Sequence, residues 1–217
     1  MAHVTLILCR TPLQEFHRGR QSGRWGDMLM IEGPRVFSVT TGPAIQATVN
    51  TVATIIRPFM AFGVSLGAEP LTLGGQSFTM VTDGSAIAAR TEFDSMERFR
   101  ADSGSGFYMQ TRPKPREPYR LTMFTSSTVA KLNDTGRCLR VHGHGYVQQG
   151  THNEAGILIH EAPHVGWLIG CISPRPKNQR IPDNEDRAPS RQAMNSIFTA
   201  MGGFATGKEA SLIVLDW

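Results

Sequence analysis

The chain is 217 residues long with a mass of 23.8 kDa, the size of one domain. Hydrophobic residues make up 40% and charged residues 18%, which excludes wholesale disorder, and no run of about 18 apolar residues exists to cross a membrane as a helix. The 22 Lys and Arg against 18 Asp and Glu give +4 and a pI near 9.3, which suits an acidic polymer such as nucleic acid or cell wall and equally an ordinary solvated surface.

Residues 3–9 (HVTLILC) are apolar and β-branched and predict a first strand. They have no basic leader before them, so the opening does not read as a secretory signal. Strands are expected at 28–31 (MLMI) and 36–40 (VFSVT), parted by the turn signal Glu32-Gly33-Pro34. In 44–57 the spacing of Ile45, Val49, Val52 and Ile56 favours a helix ending before Pro58, while the β-branched content also favours a strand. Residues 63–84, punctuated by glycine, read as short strands and loops. A short amphipathic helix is expected over 91–100, with Phe93, Met96 and Phe99 on one side and Thr91 as cap. Residues 101–118 are polar and proline-rich and read as an exposed connection. Strands follow at 119–124, 138–142, 156–160 (GILIH) and 167–172 (WLIGCI), then a proline-rich loop over 174–189. Ser190 caps a helix to about Met201, Gly202-Gly203 stops it, and 210–216 form a closing strand. The result is a mainly β protein with a few helices and no internal repeat.

Chemistry concentrates between residues 138 and 171. Five of the seven histidines (His142, His144, His152, His160, His164) and two of the three cysteines (Cys138, Cys171) fall there, where an even spread would put about one histidine. Three cysteines cannot all pair, and no CxxC occurs, so neither a disulfide scaffold nor a structural zinc knuckle is expected. One reading is a Cys171 nucleophile with His160 as its base. Thiolate is the reactive form, and an imidazole raises its supply by taking the proton. Gly170 would let the backbone approach substrate, with neighbouring amides facing an oxyanion. A second reading is zinc, because His160-Glu161-Ala162-Pro163-His164 matches H-E-x-x-H. That motif needs a helix to set its histidines one turn apart, and Pro163 opposes one. His142-x-His144 could supply a further ligand. A third reading is a binding protein with no catalysis, whose histidines line a polar pocket. Nucleic-acid binding rests on charge alone, without a basic helix or aromatic-basic motif, and is not expected.

The segment GILIHEAPHVGWLIGCISP resembles the active-site segment of the L,D-transpeptidase catalytic domain, the YkuD-like domain. It is most similar to a phage- and prophage-associated, uncharacterised branch with a short loop between the histidine and Gly-Cys. The opening HVTLILCRT, the run Pro118-Tyr119-Arg120-Leu121, the helix start Ser190-Arg191-Gln192-Ala193-Met194 and Gly207-Lys208-Glu209 through Leu215 resemble other parts of that branch. Glu161 stands where the family has glycine, and Leu168-Ile169 where it has Ser/Thr-His.

The resemblance implies a β-sandwich or barrel-like fold spanning 1–217, with 41–115 an insertion and 116–217 the catalytic core. It implies Cys171 as nucleophile, His160 as the activating histidine and Gly170 beside the oxyanion hole, with no metal or cofactor. Arg140, His142, His144, His164 and Trp167 are the expected substrate contacts, with Arg140 favoured over Arg137 and Arg175 to hold a carboxylate. The implied reaction is attack of the thiolate on the bond before the terminal D-alanine of a peptidoglycan stem peptide. D-alanine leaves, and an amine, a D-amino acid or water resolves the thioester. The substrate lies in the periplasm or wall. The expected context is therefore a phage lysis or virion protein, or an antibacterial effector toxin delivered by a secretion system. Its partners would be a particle or secretion component, or an immunity protein.

Overall fold

The computed structural model describes residues 3–19, 21–41, 66–100, 106–109, 118–142, 146–149, 157–168, 171–181 and 185–215. The first strands are β1 (His3–Arg18), β2 (Gln21–Gly33), β3 (Val36–Thr41), β4 (Gly67–Leu73) and β5 (Gln76–Thr82). They are followed by β6 (Ala89–Arg100), β7 (Gly106–Met109), β8 (Tyr119–Thr125), helix α1 (Ser127–Asn133) and β9 (Arg137–His142). The remaining elements are β10 (Tyr146–Gln149), β11 (Leu158–Ile159), β12 (Ile172–Pro176), helix α2 (Ala188–Ala200) and β13 (Glu209–Leu215).

Eight strands close into a barrel in the order β1-β13-β8-β9-β11-β12-β6-β2. The protein is therefore mainly β with a closed sheet. The β1–β13 and β11–β12 pairs are parallel and the other barrel pairs antiparallel. Alternation along each strand sends one set of side chains inward. Val4, Leu6, Leu8, Met28, Met30, Phe93, Leu121, Leu139, Ile159, Ile172 and Leu212 build the inner core. Helix α2 adds Ala193, Met194, Ile197 and Phe198 to it. A second core lies on the outer face of β1, β2 and β13, where Ile7, Leu29, Ile31 and Ile213 meet Val39, Leu71, Phe78 and Met80 of a three-stranded sheet β3-β5-β4. Its β4–β5 hairpin turns at Gly74-Gly75, both with positive φ (61° and 78°), as a two-residue turn of this hand requires. Strands β7 and β10 form a separate two-stranded ribbon.

The helix expected over 91–100 is strand β6, hydrogen-bonded to β2 on one side and β12 on the other. Phe93 and Met96 fit helical spacing, but in the strand Phe93 enters the inner core and Met96 the opposite face. Two full ladders outweigh a short segment's propensity. The strand expected over 167–172 begins only at Ile172, and a 3₁₀ turn occupies Val165–Trp167. The loop expected from 174 holds the end of β12. Helix α2 starts before Ser190, with Pro189 in its first turn, and the left-handed Gly202 and Gly203 (φ 81° and 84°) end it. The expected helix over 44–57 and most of the 101–118 connection lie outside the described residues, though 106–109 form β7. Of the 41–115 segment, 67–82 belong to the small sheet and 89–100 to the barrel. No helix among the described residues is long and apolar enough to cross a membrane.

Candidate active site

The site is built on the outer face of the wall formed by β9, β11 and β12. Leu139, Ile159 and Ile172 point inward and lie abreast of one another. Alternation therefore puts Arg140, Leu158 and Cys171 in one outward row, and Cys138, His160 and Ser173 in the next. His160 and Cys171 are thus diagonal neighbours on one face, a spacing of roughly 7–8 Å between backbones that side chains can bridge. The His160 N–H bonds to the Ile172 carbonyl at 3.0 Å, which extends the register through the histidine.

His160 is 2% exposed, and its Nδ1 lies 2.8 Å from the Glu161 carbonyl oxygen. A carbonyl only accepts, so Nδ1 carries the proton and Nε2 keeps its lone pair. Burial lowers the His160 pKa, and the bond to Glu161 raises it by less, so the ring is neutral at pH 7. Glu161 is itself tied to α2, where Arg191 Nε donates at 3.1 Å and Nη2 at 3.4 Å.

Cys171 is 9% exposed and packs with Trp25, Met96, Ala162, Val165 and Leu168. Burial pushes its thiol up to about 11, while a backbone hydrogen bond from Leu158 lowers it by less. The resting pair is therefore a neutral thiol and a neutral imidazole, because apolar surroundings disfavour the ion pair. Burial likewise pushes Cys138 up to about 12. All three cysteines are buried. A thiol reagent added to folded protein at pH 7–8 is accordingly expected to react far more slowly than with the denatured chain. Prompt labelling of Cys171, read by peptide mapping, would contradict this burial.

The segment 161–168 covers the thiol. The Ala162 N–H donates to Ser173 Oγ at 3.2 Å and Ser190 Oγ at 3.1 Å, and the two hydroxyls bond at 2.6 Å. His164 starts the 3₁₀ turn, its Nδ1 accepting from the Gly166 N–H at 3.1 Å and its Nε2 3.5 Å from Glu185. Trp167 packs edge-on against His164, with the Arg187 guanidinium 6.0 Å from its ring centroid. Residues 160–164 are not helical, so the H-E-x-x-H string does not set its histidines one turn apart. Glu161 pairs with Arg191, and no group of three metal-ligating side chains forms among the described residues.

Arg140 shares the row of Leu158 and Cys171, with its guanidinium 3.8 Å from the centroid of Phe124. His142 lies farther along β9, its Nε2 2.7 Å from Thr122 Oγ1, so it stands against β8 and not beside His160. Gly170, His144 and His152 lie outside the described residues. Ser173, Ser190, Arg191 and the fully buried Arg175 complete the surroundings of the pair and carry no motif in the sequence. Comparison of the chain with family models, curated proteins and solved structures finds no match.

Proposed function

We propose that the protein is a peptidoglycan-acting cysteine acyl-transfer enzyme of YkuD-like fold. The observation that carries the reading is the His160 tautomer. With Nδ1–H donated to the Glu161 carbonyl, the basic Nε2 is left on the sheet face that also bears Cys171. A neutral imidazole beside a protonated thiol needs no resting thiolate. Nε2 takes the thiol proton as sulfur attacks the carbonyl before the terminal D-alanine, then returns it to the leaving amine. The thioester formed is resolved by an amine, a D-amino acid or water, giving L,D-transpeptidase or L,D-carboxypeptidase activity. Amides next to Cys171 would hold the oxyanion. Substrate reaches the thiol when the Val165–Trp167 turn moves aside. Because the stem peptide lies beyond the membrane, delivery by phage release or by a secretion system is part of the reading.

Burial of the thiol favours a second reading, a non-catalytic structural or binding protein. Muropeptides incubated with the wild type and with Cys171→Ala separate the two. The enzyme reading expects loss of terminal D-alanine or its exchange, seen by mass spectrometry, with a thioester on Cys171 and neither product in the variant. Identical spectra from both proteins would leave the binding reading standing.

A further inference from the structure

We propose that Arg175 is the anion-recognition group of this site, taking the free carboxylate of the residue that leaves a peptide donor. The proposal rests on the acyl-transfer reading and deepens it by stating what the donor must carry. Cys171 just before β12, and Ser173 and Arg175 within it, alternate onto the outer face of the wall, so Arg175 lies on the face that bears the candidate nucleophile, four residues further along the chain. Its side chain is 0% exposed. Nη2 donates to the carbonyl oxygens of Ala162 (3.2 Å) and Pro163. Nε and Nη1 are buried and have no hydrogen-bond partner among the described residues. The guanidinium carbon lies 5.9 Å from the Trp25 ring centroid. Trp25 and Ala162 also belong to the buried cluster that includes Cys171.

A guanidinium does not give up its proton inside a protein, and a buried donor without an acceptor is costly. Other nearby cations have carboxylates. Arg10 holds Glu97, Arg191 holds Glu161, and Lys177 and Arg180 hold Asp27. Arg175 has two carbonyls, a ring face and the more distant attraction of Asp186. A carboxylate offers the acceptors that Nε and Nη1 lack, and its charge matches. Arg140, the sequence's favoured candidate for this task, lies against Phe124 instead. Entry needs the Val165–Trp167 turn to lift, which uncovers the buried Val165 and breaks the 3.5 Å contact of His164 with Glu185 and the contact of Trp167 with Arg187.

The test is binding of N-acetyl-D-alanine and of its neutral amide to the full chain, followed by calorimetry and thermal shift. Wild type, Cys171→Ala, Arg175→Met and Arg175→Lys are compared. The acid is expected to bind wild type and Cys171→Ala, and the amide at least tenfold more weakly. Arg175→Met is expected to lose about 10–100-fold in affinity for the acid, the effect of a charged hydrogen bond. Arg175→Lys keeps the charge and loses the planar fork, so its preference for the acid should fall severalfold. If Arg175→Met does not fold, the lysine variant decides. Equal affinity for acid and amide, binding of neither, or an undiminished preference in both variants overturns the proposal. Binding in Cys171→Ala requires no turnover, so an anion site survives failure of the enzyme reading. Cys171-dependent turnover without acid preference sinks the anion site alone.

Discussion

If the protein is the proposed acyl-transfer enzyme, glutamine in place of His160 is expected to lower that activity by about 10³-fold, within the range a positioned acid–base group supplies. Glutamine is uncharged and close to the imidazole in size, so the fold should persist while the basic Nε2 disappears. The same variant carries a second signature in stability. Burial holds the His160 pKa below its unfolded value, as it does for His3. Below about pH 6.5 the unfolded chain binds protons that the folded chain refuses, so stability falls as pH drops through that window. His160→Gln should flatten part of this fall, with His3 and His142, whose pKa values burial also lowers, sustaining the rest. On the alkaline side the sign reverses. Cys171 and Cys138 titrate at about 11 and 12, above their unfolded value, so stability is full below about pH 9 and declines above it. Denaturant midpoints from pH 5 to 10 check both limbs. A wild-type profile flat between pH 5 and 7 would contradict a buried neutral His160.

Removing Arg10 alone, as Arg10→Met, is expected to cost about 3–5 kcal/mol, the usual penalty for leaving one member of a buried ion pair uncompensated. For a chain of this size that is a fall of roughly 10 °C in Tm. Arg10 follows Leu8 on the inward row of β1, and Glu97 lies two alternations past Phe93 on β6. Their side chains are nearly buried, and Arg10 donates to both carboxylate oxygens, at 2.8 Å from Nε and 2.6 Å from Nη2. The bond spans β2, which separates the two strands, just where the β1–β2 register shifts after Arg10. The double variant Arg10→Met/Glu97→Leu removes both charges and should recover most of the loss. Urea titrations of the singles and the double decide it, and a double no better than Arg10→Met would mean the pair is not the source.

Much of the barrel was readable because its strands alternate or run apolar between turn signals. β13 was expected over 210–216 and runs from Glu209 to Leu215. β8 and β9 were placed to within a residue or so. β6 was not legible, because Phe93, Met96 and Phe99 satisfy helical spacing and the two strands flanking it lie far away in the chain. Serine caps helices, and that general preference places Ser190 at the cap. It lies instead in the first turn and bonds Ser173, a partner no local pattern announces. At the site, the strand ends that carry His160 and Cys171 were legible, and their backbones pair through Ile159 and Ile172. What holds them was not legible. Glu161 meets Arg191 and Arg175 meets Ala162 only after α2 and β12 have docked on the turn. The H-E-x-x-H string shows the reverse failure, in which letters match and the backbone conformation that gives them meaning is absent.

The parallel pair of β1 and β13 sets Thr5 beside Ser211 and Cys9 beside Leu215. During synthesis on the ribosome, β1 emerges long before its neighbour in the ring exists. Until β13 arrives, β1 and β8 each present an unsatisfied edge, and the ring stays open. Closure is therefore a late event that joins distant parts of the nascent polypeptide, a slow kind of contact to form. Incomplete chains would expose those edges to one another, so translation arrest or loss of β13 should yield aggregates and not a smaller working unit.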